Sequence, residues 1–216
     1  MMSLKKSARH ANRSRKTGPS AGRVAHAAST GLHRNRMKKT SARKCVFFDR
    51  DGIVNKHPGP GYVERWEDFK LLPEFVAVLR AVRKLGFDAV IVTNQQGVAK
   101  GIMSKEAVDR IHRNLGATLR KKHLALLDII YCPHYEGKCG CRKPRPGMLL
   151  AAAKRHGIDL KSSWMIGDDK KDVEAGKRAG CRTIFVGHAE KAPEADFRVP
   201  DMSELQTQIA NLISLG

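Results

Sequence analysis

Short apolar segments alternate with helical patterns along most of the chain, and this alternation constrains the fold more than any other feature. Because the segments are apolar throughout and not at every second position, both faces of each predicted strand must be covered, as in parallel α/β sheets. Residues 44–216 are therefore predicted to form an α/β domain with a parallel sheet. The predicted strands are CVFF at 45–48, DAVIVT at 88–93, LLDIIYC at 126–132, SWMIG at 163–167 and CRTIFVG at 181–187.

Helices are predicted between the strands from apolar side chains at helical spacing. One begins at Pro73 and stops at Gly86, and Ser104 is a candidate cap for the next. Three more are predicted over about 147–156, 170–179 and 202–214. No apolar run is long enough to cross a bilayer.

The carboxyl ends of the predicted strands carry polar groups suited to phosphate chemistry. Asp49 and Asp51 follow the first strand, Thr93 ends the second, and Asp168 follows the fourth. In parallel sheets such ends border one crevice. One carboxylate can attack phosphorus while another handles the proton of the leaving group, and Mg²⁺ accepts carboxylate ligands. A lone Asp-x-Asp is usually a solvated turn, so the ordered combination, with Lys143 before the fourth strand, supports the prediction.

A metal-binding loop is predicted where sulfur and imidazole ligands crowd together. Four such residues fall within ten positions, which suits a closed tetrahedral Zn²⁺ site with a structural role. Free thiols in this polar, glycine-containing loop would have no core to pack into, whereas Cys45 and Cys181 lie in predicted strands. The four candidate ligands are Cys132, His134, Cys139 and Cys141.

Four motifs in this order resemble the haloacid dehalogenase superfamily of phosphatases: FFDRDG at 47–52, IVTN at 91–94, RKP at 142–144 and MIGDDKKD at 165–172. The resemblance implies a three-layer Rossmann-like fold without a cap domain. It implies Asp49 as nucleophile and Asp51 as general acid and base, with Thr93 and Lys143 contacting the phosphoryl group. It also implies Mg²⁺ ligation by Asp49, the Asp51 carbonyl and Asp168, with Asp169 as a further candidate.

The zinc loop followed by CRKPRPGM resembles the histidinol-phosphate and heptose-bisphosphate phosphatase branch. The stretches FFDRDGIVN and VTNQQGVAKG resemble the heptose-bisphosphate members more closely. That resemblance implies hydrolysis of the 7-phosphate of D-glycero-D-manno-heptose 1,7-bisphosphate, in nucleotide-activated heptose and lipopolysaccharide precursor synthesis. Histidinol phosphate is the alternative substrate, and a polynucleotide 3′-phosphate is a more remote one. Asp169 departs from the family pattern, because the heptose enzymes commonly have a lysine at this position of the fourth motif. The resemblance implies substrate contacts by Gly59, Pro60, Gly61, Tyr62, Asn94, Gln95, Gln96, Arg142 and Lys143.

The net charge of +20 is concentrated at the beginning of the chain, since residues 1–44 hold thirteen of 41 basic residues and no acidic one. Residues 1–43 lack apolar periodicity and are predicted to be disordered. Three interpretations of this segment are left open. The first choice is that the assigned start is too early and that the native protein begins at Met37. A transit peptide is the second interpretation, and an arm that binds nucleic acid or anionic lipid is ranked last. A binding protein built on an inactive phosphatase is disfavoured, because all five catalytic groups are present.

The setting in which the enzyme works is predicted from its cysteines and its lack of a secretory signal. Five cysteines, an odd number, argue against a disulfide framework and for a reducing compartment. We therefore expect a cytoplasmic enzyme. A monomer is favoured because no apolar patch stands apart from the core pattern.

Overall fold

The computed structural model describes residues 42–188 and 194–215, which belong to one compact unit. Its centre is a six-stranded sheet in the order β3-β2-β1-β4-β5-β6, with every neighbouring pair parallel. The predicted parallel sheet is confirmed. The strands are β1 Cys45–Phe48, β2 Asp88–Asn94, β3 Asp128–Cys132, β4 Trp164–Gly167, β5 Arg182–Val186 and β6 Phe197–Val199.

Helices cover both faces of the sheet, because successive side chains of a strand point in opposite directions. Val46 and Phe48 pack with α1, α2 and α5, whereas Cys45 and Phe47 pack with α3 and α4. This confirms the three-layer architecture. The helices are α1 Pro73–Lys84, α2 Lys105–Lys121, α3 Gly147–His156, α4 Lys170–Ala179 and α5 Met202–Ser214.

The register of the three central strands brings their carboxyl ends to the same level. Phe48 of β1 is paired with Ile91 of β2 and with Ile166 of β4. Asp49 extends this alignment by donating its backbone N–H to the carbonyl of Ile166 at 2.9 Å. The polar residues that follow these pairs, Asp49, Thr93 and Asp168, therefore emerge at one edge of the sheet.

The edge is not covered by a cap domain within the described residues. The segment between β1 and α1 contains a single 3₁₀ turn, Trp66–Asp68, and no further helix. No helix of the described ranges is long and apolar enough to span a membrane. The predicted disorder of residues 1–43 falls almost wholly outside the part of the chain that the structure describes, and the division at residue 44 stays a prediction.

Candidate active site

A cleft of about 300 Å³ opens at the carboxyl edge of the sheet. Asp49, Asp51, Thr93 and Asp168 line it, as the sequence predicted for residues that follow β1, β2 and β4. Most of the predicted substrate contacts line it as well. These are Gly59, Pro60, Gly61, Tyr62, Asn94, Gln96 and Arg142.

Lys143 lies under the cleft, with 1% of its surface exposed. Its Nζ lies 2.6 Å from Asp49 Oδ1 and 2.6 Å from Asp172 Oδ1, and it donates to the Val92 carbonyl at 2.8 Å. Burial alone lowers the pKa of Lys143, but the carboxylates of Asp172 and Asp49 outweigh burial and raise it above its ordinary value. The ammonium therefore stays charged at neutral pH and fixes the position of Asp49.

Asp51 is surrounded by hydrogen-bond donors. Arg50 donates from Nη2 to both carboxylate oxygens at 3.0 Å, and the side-chain amides of Asn55 and Gln95 donate at 3.0 and 3.1 Å. Burial by itself raises the pKa of Asp51, but the Arg50 charge and these donors hold it below its usual range. Asp51 is thus an ionised carboxylate in the free protein.

The arginine beside Asp51 is itself completely buried. His112 Nε2 lies 3.4 Å from Arg50 Nη1, and burial together with the Arg50 charge lowers the pKa of His112 to about 3. The imidazole is therefore neutral and accepts from the guanidinium. This second layer around Asp51 was not predicted, although an arginine between two aspartates at the end of a buried strand was a usable signal.

Asp168 approaches the β1 loop so closely that the loop residue facing it has to be glycine. A Cβ on Gly52 would lie 2.0 Å from Asp168 Oδ2, and the φ of Gly52 is +96°. Burial, with the nearby charges of Asp49 and Asp172, raises the pKa of Asp168 to about 7. The site therefore holds more negative charge than Lys143 neutralises.

The carboxylates are suited to a divalent cation. One oxygen from each of Asp49, Asp168 and Asp172 lies within 4.8 Å of the others. Asp172 is fully buried and does not line the cleft, whereas Asp49 and Asp168 do, so Asp49 and Asp168 are the carboxylates available as ligands. The raised pKa of Asp168 indicates charge that a cation would offset. Asp169 is not in this cluster. Its side chain caps α4 and accepts from Lys171 N at 2.9 Å and Lys171 Nζ at 2.7 Å.

Three predicted substrate contacts have other partners in the structure. Gln95 is fully buried and donates to Thr93 Oγ1 at 2.9 Å besides Asp51. Neither it nor Lys143 lines the cleft. Asn94 lines the cleft, but its amide bonds the Lys143 backbone on both sides, at 3.0 and 3.1 Å. Gln95 therefore helps to hold Asp51 and Thr93, and Asn94 holds the main chain at Lys143.

Arg142 keeps hydrogen-bonding capacity on the wall of the cleft. Its Nη2 donates to Gln96 Oε1 at 3.1 Å, whereas its Nη1 is buried without a hydrogen-bond partner. A buried guanidinium nitrogen without an acceptor is costly, and an anionic ligand would satisfy it.

The structure brings the four predicted zinc ligands together. Cys132 Sγ lies 3.5 Å from Cys139 Sγ and 3.4 Å from Cys141 Sγ, and His134 Nδ1 lies 3.6 and 3.4 Å from Cys132 and Cys141. Two sulfur ligands at the corners of a tetrahedron around Zn²⁺ would lie about 3.8 Å apart. The donor set and spacing fit Zn²⁺. Because Arg142 and Lys143 directly follow Cys141, a well-ordered conformation of this loop helps to fix their positions.

Comparison with known proteins identifies the same architecture. The profile of a family described as HAD-hydrolase-like matches residues 140–206. A crystal structure of a D,D-heptose 1,7-bisphosphate phosphatase from B. bronchiseptica, in complex with magnesium and phosphate, superposes with a TM-score of 0.70 at 28% identity, covering 78% of this chain and 99% of that one.

Two curated relatives cover most of their own length. The D-glycero-alpha-D-manno-heptose-1,7-bisphosphate 7-phosphatase of Photorhabdus laumondii is 37% identical over 69% of this chain and 87% of its own length. The corresponding beta enzyme of Pasteurella multocida is 38% identical, over 67% and 82%. The chain is therefore a phosphatase of the haloacid dehalogenase superfamily and belongs to the D-glycero-D-manno-heptose-1,7-bisphosphate 7-phosphatase family.

Proposed function

We propose that the protein hydrolyses the 7-phosphate of D-glycero-D-manno-heptose 1,7-bisphosphate through an aspartyl phosphate on Asp49. The observation that carries this proposal is a pair of carboxylates at the floor of the cleft, Asp49 held by Lys143 and Asp51 held by Arg50. The wall of the same cleft contains Arg142, whose Nη1 has no hydrogen-bond partner. An additional anionic group on the substrate would give Arg142 its missing acceptor.

The two carboxylates divide the chemistry between them. Asp49 attacks phosphorus, the bond from phosphorus to the sugar oxygen breaks, and Asp51 donates a proton to that oxygen. A phosphate dianion arriving beside Asp51 favours the protonated form needed for this step. Water then attacks the aspartyl phosphate while Asp51 takes its proton, which releases phosphate and restores Asp49. The donors around Asp51 favour the ionised form that this second step requires.

Metal ions complete the proposed site. Mg²⁺ held by Asp49, Asp168 and the Asp51 carbonyl would neutralise charge on the phosphoryl oxygens. Zn²⁺ held by the four Cys and His ligands would keep their loop folded. Thiolate ligands require a reducing compartment, which supports a cytoplasmic enzyme.

The test measures phosphate release, in Mg²⁺, from both anomers of the heptose bisphosphate and from histidinol phosphate, with Asp49→Asn as the inactive control. We expect a preference for a bisphosphate of about 100-fold, which corresponds to roughly 2.7 kcal/mol in the transition state. Preference for histidinol phosphate would overturn the substrate and leave the chemistry intact. Full activity of Asp49→Asn would overturn the mechanism.

A further inference from the structure

One arginine and one lysine line the cleft among the described residues, Arg142 and Lys171, together with a histidine, His57, whose Nδ1 accepts the Gly59 N–H at 2.9 Å. The positive charge beneath the reacting phosphate comes from a different residue, the buried Lys143. Asp49, Asp51, Asp168 and Asp169 also line the cleft, so its wall holds little positive charge for a second anionic group. A substrate with two phosphates depends on Arg142 and Lys171 to neutralise the phosphate that does not react.

Lys171 lies at a position in α4 that the stability of the helix does not explain. It is the second residue of α4, where the helix dipole disfavours a positive side chain. Its neighbour Lys170 is 74% exposed and lies 3.8 Å from Glu174, one turn along the helix. Lys171 instead turns back over the amino end of α4, is 39% exposed, and lines the cleft.

Asp169 fixes the lysine in this orientation. One Asp169 oxygen accepts from Lys171 N and the other from Lys171 Nζ at 2.7 Å. The ammonium is thereby ordered before any ligand arrives, which reduces the entropy lost on binding. Two of its three N–H groups remain for a ligand.

Building on the proposed function, we propose that Lys171 is a specificity-determining residue that binds the non-reacting phosphate of a bisphosphate substrate. A charge-assisted hydrogen bond of this kind corresponds to about 10- to 100-fold in affinity. Lys171 therefore sets the preference for a bisphosphate over a monophosphate, and Asp169 positions it.

The test compares kcat/KM for heptose 1,7-bisphosphate and heptose 7-phosphate in the wild type and in Lys171→Gln. We expect the ratio of the two values to fall about 10-fold or more, mainly through KM for the bisphosphate. Lys170→Gln removes the same charge from the adjacent position and should leave the ratio unchanged. A ratio that is unchanged in Lys171→Gln, whether kcat/KM falls equally for both substrates or for neither, would overturn the role of Lys171.

The double variant Asp169→Asn with Lys171→Gln separates direct binding from simple neutralisation of Asp169. Asn retains the helix-capping oxygen, and the pair leaves the local net charge unchanged. A low ratio in the double variant supports contact between Lys171 and the substrate, whereas a restored ratio overturns it. A wild type that cleaves heptose 7-phosphate as well as the bisphosphate would overturn the role of Lys171, whereas a wild type that cleaves neither would contradict the proposed function itself.

Discussion

Lys143 shows how one buried side chain organises the residues around it. Its ammonium contacts carboxylates from two different elements, Asp49 after β1 and Asp172 in α4, and the main chain of β2. Such a group has no hydration to compensate for a lost partner, so each contact constrains the others. Asp49, the proposed nucleophile, is consequently positioned with the help of a residue that does not line the cleft, Asp172.

Replacing Asp172 by Asn should lower kcat about 10- to 100-fold with little change in KM. The ammonium of Lys143 would then have Asp49 as its sole carboxylate partner, which reduces the nucleophilicity of Asp49. The amide fits the same space and can still accept the Asp169 N–H that Asp172 accepts at 3.1 Å. Steady-state kinetics test this, with Glu174→Gln on the exposed side of α4 as control. An unaltered kcat would show that Asp172 serves only the helix.

Gly52→Ala should reduce both Mg²⁺ affinity and kcat by more than about tenfold. The new Cβ would overlap Asp168 Oδ2, and the side chain would have to move out of the cation site. Gly86→Ala is a matched control, because Gly86 also has a positive φ, +80°, but nothing lies within 4 Å of its Cβ position. Both variants carry the backbone strain of about 1–2 kcal/mol, so equal activity of the two would refute the overlap argument.

At the scale of elements, continuous apolar segments predicted five of the six strands of the described residues, and helical spacing together with capping and stop residues predicted all five of their α-helices. β6 was missed because its three residues, one of them exposed, are too few to form a pattern. Asp49, Asp51, Thr93 and Asp168 could be placed because strand ends share one edge in a parallel sheet.

Side-chain partners could not be predicted in the same way. Strand order shows which edge a residue reaches, but not that Gln95 turns inward to Asp51 and Thr93, or that Asp172 meets Lys143. Those contacts depend on rotamers and on the spacing between β1, β2 and α4. Such information is absent from the pattern of apolar residues.

The zinc loop should be required for activity although none of its ligands touches the substrate. We expect one zinc per chain, and loss of zinc in Cys139→Ser with at least about a tenfold loss of kcat/KM. The reason is that Arg142 and Lys143 follow the last ligand directly. Cys181→Ala, in the core, should retain its zinc. Metal analysis and kinetics before and after treatment with a chelator test this, and full activity of the zinc-free protein would contradict it.

At the scale of the whole molecule, the acidic cluster makes the free energy of unfolding depend on pH. Asp168 binds its proton more tightly in the folded than in the unfolded chain, because its pKa is raised to about 7 by burial and by Asp49 and Asp172. Its contribution to stability is therefore fully present below pH about 4 and is lost as the pH rises through about 7. A cation that binds the ionised carboxylate reverses this loss.

Asp168→Asn should thus raise the free energy of unfolding of the magnesium-free protein at pH 8, by about 1–3 kcal/mol, while it abolishes activity. Added Mg²⁺ should raise the melting temperature of the wild type more at pH 8 than at pH 5, and that of Asp168→Asn at neither. Asp128→Asn is a control of opposite sign: burial alone raises the pKa of Asp128, but hydrogen bonds from His156 and Arg155 hold it low, so neutralising it should lower stability at pH 8. Calorimetry across this pH range measures each effect. A magnesium-free Asp168→Asn protein less stable than the wild type at pH 8 would show that the acidic cluster is not a source of strain.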